Sequence, residues 1–109
     1  MSIDTDQLFG QMVTAGAQAF GTGWAEVEKF ANLEFRTLAQ RIKEIGEGLA
    51  KNDFDVPTGK LLMAMQVNNA TAAIAGATTL VLLAVEAAVN AVMATIKDAV
   101  NTALGVALL

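Results

Sequence analysis

A chain of 109 residues has the length of one domain. It is 54% hydrophobic and lacks cysteine, histidine and tyrosine, which removes disulfides, thiolate or imidazole metal sites and most nucleophile–base pairs. Seven basic residues against eleven acidic ones give a net charge of −4, which argues against a phosphate-backbone partner, since that requires clustered Lys and Arg.

Residues 1–20 read as an N-terminal amphipathic helix. Ser2, Asp4 or Thr5 can cap it, and Asp4 and Asp6 suit the positive end of the helix dipole. Gln7, Gln11, Thr14 and Gln18 line one side at helical spacing, and Leu8, Phe9, Met12, Val13, Ala19 and Phe20 line the other. Gly16 falls on the apolar side, where it either weakens the helix or admits a close neighbour. The polar side carries no Lys or Arg, so packing on a partner helix is expected rather than a membrane surface. The start of the chain lacks a leader's basic and apolar regions. The expected location is the cytoplasm, or export without a cleaved signal.

Gly21-Thr22-Gly23 breaks the pattern. Residues 23–50 then form a charged amphipathic helix. Trp24, Val27, Ala31, Phe35, Leu38, Ile42, Ile45 and Leu49 recur at steps of three and four, with Glu26, Lys29, Arg36, Lys43, Glu44 and Glu47 facing away. Leu33 lies on the charged side. Residues 51–58 are a loop, where Asp55 or Thr58 can cap the next helix and Pro57 fits its first turn. Thr58-Gly59-Lys60 has the tail of a phosphate loop without its leading glycine, its following Ser or Thr, or a preceding strand. The acidic residues carry none of the histidines of a helical metal site.

Residues 59–109 are an apolar, alanine-rich helical region. After Lys60 the only charges are Glu86, Lys97 and Asp98. A membrane span takes about 20 predominantly apolar residues, and the uncharged run Leu61–Val85 is interrupted by Gln66, Asn68 and Asn69. On a helical wheel Asn68, Thr79, Glu86, Asn90, Lys97 and Asn101 share a narrow stripe, onto which Leu83 and Leu104 intrude. Unbroken, the region would extend for roughly 75 Å. A break near Gly76, with Thr78 or Thr79 as a new cap, would match it to the preceding helix.

The two front helices each offer one apolar face, whereas the tail offers apolar surface on nearly all sides. One copy is therefore expected to leave much of it uncovered, and exposed apolar surface of that size marks an interface. The candidate interface is Leu80, Val81, Ala84, Val85, Ala88, Val89, Val92 and Ile96. The interfacial ion-pair candidates are Glu86, Lys97, Glu34 and Arg41, because a buried acid needs a partner.

The sequence predicts an all-α fold: a helical hairpin or three-to-four-helix bundle with a long C-terminal helical region, assembled into an oligomer. Its expected function is that of a structural self-assembling subunit, a homo-oligomer such as a filament or tube. The alternative is a membrane-inserting or membrane- or granule-associated hairpin: a pore, a holin-like protein or a coat. Neither catalysis nor any cofactor or metal is expected. The expected partner is the chain itself, joined in the alternative by membrane lipid, with no nucleic acid and no small-molecule substrate.

Overall fold

The computed structural model describes residues 3–109, and all four of its long elements are α-helices. Ser2, a capping candidate, lies outside the described residues. Helix α1 spans Thr5–Phe20, α2 Trp24–Ala50, α3 Val56–Ala77 and α4 Leu82–Leu104, with a 3₁₀ turn at Gly21–Gly23.

Local chemistry explains most boundaries. Asp4 caps α1 by accepting the Gln7 N–H at 3.1 Å. Gly21 ends it at φ 56°, a conformation that side-chain-bearing residues resist. Asp55 caps α3 by accepting the Thr58 N–H at 2.9 Å, with Pro57 in the first turn. α3 therefore starts slightly before the expected position. Gly105 closes α4 in the left-handed conformation, φ 73°. The chain then folds back, burying Leu108 and letting the Leu109 N–H donate to Asn101 Oδ1 at 3.0 Å.

The tail does break near Gly76, one residue past it, where α3 ends at Ala77. The helix stops after Ala77, at β-branched Thr78 and Thr79. Thr78 donates its hydroxyl back to the Ile74 carbonyl at 3.0 Å. Neither threonine caps α4. Its N-cap is Val81, with no side-chain bond.

Connections of three to five residues make consecutive helices antiparallel. α2 packs on α1 and α3, and α4 packs on α3 and α1, so each helix has two neighbours around one core. The molecule measures 41 × 22 × 18 Å. That length matches the roughly 40 Å of α2 alone, so the tail is doubled back along it.

The buried stripe of α2 is Val27, Ala31, Phe35, Leu38, Ala39, Ile42 and Ile45. Opposite it, Val85, Val89, Val92, Ile96 and Val100 of α4 are each at most 1% exposed. Gly16 of α1 is where the aromatic core comes closest. A Cβ there would sit 2.7 Å from Phe35 Cε2 and 2.9 Å from Trp24 Cζ3. Gly16→Val is expected to cost about 1–3 kcal/mol by overpacking. A lowered urea midpoint at constant slope would register this.

The covering expectation can be set against the observed surface. The accessible surface is 6026 Å² for 11.3 kDa, close to the roughly 5,700 Å² of a compact monomer of that mass. One copy is thus about as compact as a monomer of its mass, yet more than half of the residues from Leu61 onward remain exposed. The reason is alanine: Ala72, Ala73, Ala77, Ala84, Ala87, Ala91, Ala94 and Ala99 are all exposed. Alanine counts as hydrophobic in a composition, yet it exposes only a methyl and favours helix intrinsically. Among large apolar residues what stays uncovered is narrower: Leu61 (62%), Met65 (52%), Val81 (68%), Leu82 (54%) and Leu83 (77%) of the tail. Among the described residues, no helix is long and apolar enough to cross a membrane.

Candidate functional site

Two turns meet at one end of the molecule, the α1–α2 turn and the α3–α4 turn. Leu80 packs on Gly23, where a Cβ would lie 3.2 Å from its Cδ1. Glu26, in the first turn of α2, accepts both the Thr79 N–H, at 2.8 Å, and the Thr79 hydroxyl. Beneath lie the rings of Phe20, Trp24 and Phe35, with centroids 6.0 Å and 6.5 Å apart in succession.

Val81, Leu82 and Leu83 follow directly and project outward from this anchored turn. They open α4 before its first charge, Glu86. Phe30 and Leu33 of α2 lie one and two turns beyond Glu26 on the same side of their helix, 37% and 64% exposed. Scattered exposed apolar residues are ordinary on a monomer, whereas these three are consecutive and follow a tied turn.

The Thr79 hydroxyl, followed by its N–H, holds the Glu26 carboxyl below its ordinary value. The Thr58 hydroxyl and N–H lower Asp55 in the same way. A depressed folded-state pKa contributes stability that is fully present above the unfolded value, about 4.3 for Glu. That stability is lost as pH falls through the lower folded value. Thermal stability is therefore expected to drop as pH falls below about 4.5. In Glu26→Gln, the drop should be shallower, with Asp55 supplying a residual slope. Melting curves between neutral pH and pH 3 would reveal an unchanged slope if the tie contributed nothing.

The eight predicted interface residues divide sharply. Val85, Ala88, Val89, Val92 and Ile96 are buried in the chain's own core, and Leu80 is half-buried at the turn. Only Val81 and Ala84 are exposed. Of the eight, the exposed ones thus lie at the start of α4. Leu82 and Leu83 join them without having been singled out as a group, whereas Leu61 and Met65 are exposed near the other end of α3.

The four ion-pair candidates are not brought together within one chain. Arg41 pairs with Glu44 of its own helix at 2.9 Å. Glu34 is half-buried without an ion pair among the described residues, and Glu86 and Lys97 are exposed and unpaired there. Arg36 instead reaches Asp6 at 3.9 Å and lies 4.1 Å over the Phe9 ring. Among the described residues no three acids gather as a metal site would require.

The Glu26–Thr79 tie spans 53 residues of sequence, and no pattern in the sequence announces it. The turn residue Leu83 did carry a signal, since it interrupts the polar stripe of the helical wheel. No known protein family, curated protein or solved structure matches this chain.

Proposed function

We propose that this chain is a self-assembling structural subunit that joins copies of itself through the α3–α4 turn and the start of α4. One observation carries the reading: Val81, Leu82 and Leu83 are 68%, 54% and 77% exposed, side by side, on a turn anchored by Glu26. Anchoring matters because a pre-ordered patch loses little conformational entropy on association. A symmetric contact closes a dimer, and an unsymmetric one propagates a ring, filament or tube. Glu86, one turn along α4, borders the patch and offers a charge for register between copies. The proposal assigns the chain no catalysis.

Light scattering on detergent-free protein tests the reading. A discrete particle of several chains supports it. Recovery only with detergent, or flotation with lipid vesicles, replaces it with a membrane-associated hairpin.

A further inference from the structure

A second feature, independent of the turn, lies between α3 and α4 toward the other end. A groove of 370 Å³ runs along their junction, within the range of about 300–1,000 Å³ typical of small-ligand sites. Its floor is apolar: Met63 and Leu108 are 2% exposed, and Val67 and Met93 are half-buried. Methionine is unbranched and adaptable, which suits a flexible apolar guest. Because the helices are antiparallel, Lys60 of α3 and Lys97 of α4 line one end, and Asn68 and Asn90 the other. At 1.5 Å per residue these ends are roughly 12 Å apart.

The charges decide what the groove accepts. No Asp or Glu lines it, although acids outnumber bases eleven to seven in the chain. Neither lysine has an ion-pair partner among the described residues. The main chain of Leu109, which also lines the groove, is held by the Asn101 side chain. Both lysines are exposed, so the groove offers an anion two cations and no competing carboxylate side chain.

We infer that the α3–α4 groove binds a single-chain anionic amphiphile, its carboxylate between Lys60 and Lys97 and its alkyl chain along Met63, Val67 and Met93. The sequence alone offered no small-molecule ligand, because the lysines are 37 residues apart and meet only when the hairpin closes.

Titration calorimetry of the full chain with octanoate, decanoate and dodecanoate, each kept below its micelle concentration, tests this. Saturable one-to-one binding is expected, tightening by about fourfold per added methylene until the groove is filled. Lys60→Gln and Lys97→Gln should each weaken dodecanoate by about two- to fivefold, and the double variant by about tenfold. Circular dichroism should show unchanged helicity in all three. Val67→Trp, which fills the groove, should abolish binding. Absence of saturable heat, or affinity untouched in the double variant, overturns the inference. Flotation on phosphatidylglycerol vesicles without binding of the free acids also overturns it, assigning the lysines to a lipid surface. A fall in oligomer mass in the double variant overturns it in favour of a second copy.

Discussion

Phe35→Ala is expected to lower stability by about 3–5 kcal/mol, the usual cost of deleting a fully buried aromatic side chain. Phe35 is 0% exposed and stacks against Trp24 at a tilt of 20°. It also lies under Gly16, so its removal opens space between α1 and α2 that neither backbone can refill. A small domain holds only about 5–15 kcal/mol in total. A fall in melting temperature of about 15–30 °C should follow, accompanied by a change in Trp24 fluorescence. Phe35→Leu, which keeps most of the volume, should cost less. A Phe35→Ala loss below about 1 kcal/mol would contradict the placement of this residue at the centre of the core.

Leu82→Gln/Leu83→Gln is expected to leave the fold intact and weaken self-association by a factor of about 100. Both side chains are more than half exposed, so polar replacements cost the single chain little. Covering them in a contact would be worth about 1–1.5 kcal/mol each for the area still exposed, and about 1.4 kcal/mol is tenfold in an equilibrium constant. Sedimentation velocity over a concentration series would show the shift, with melting temperature as the control. An unchanged association constant would move the contact elsewhere, to Leu61 and Met65 or to Phe30 and Leu33.

The two front helices were legible because each pairs an apolar stripe with a polar one. In α2 the residues expected inside, from Val27 to Ile45, are inside, and Leu33 is outside as its charged neighbours imply. The tail misled for a compositional reason. Alanine carries α3 and α4 as helix but leaves their faces nearly unmarked, so Ala84 looked as greasy as Val85, Val89 and Val92, although it and its neighbours Ala87 and Ala91 are exposed. Position on the helix distinguishes them, since Val85, Val89 and Val92 face the core and these alanines do not. The position of the break was legible to within a residue or two, but what holds it was not. Gly76 is the residue with weak helix propensity, whereas the turn is held by a tertiary bond from Glu26 to Thr79. Long-range ties of that kind have no local sequence signature. The candidate surface was half visible: Val81 and Ala84 were singled out for being apolar, but only the packing of their neighbours shows why they remain outside.

Sedimentation equilibrium of the unmodified chain in plain buffer bears most directly on the central claim, that a self-sufficient helical fold associates through one anchored apolar turn. The expected result is a mass that rises with concentration to a multiple of 11.3 kDa, and that returns to 11.3 kDa in Leu82→Gln/Leu83→Gln with helicity unchanged. A mass fixed at 11.3 kDa for the unmodified chain at every concentration would contradict the claim.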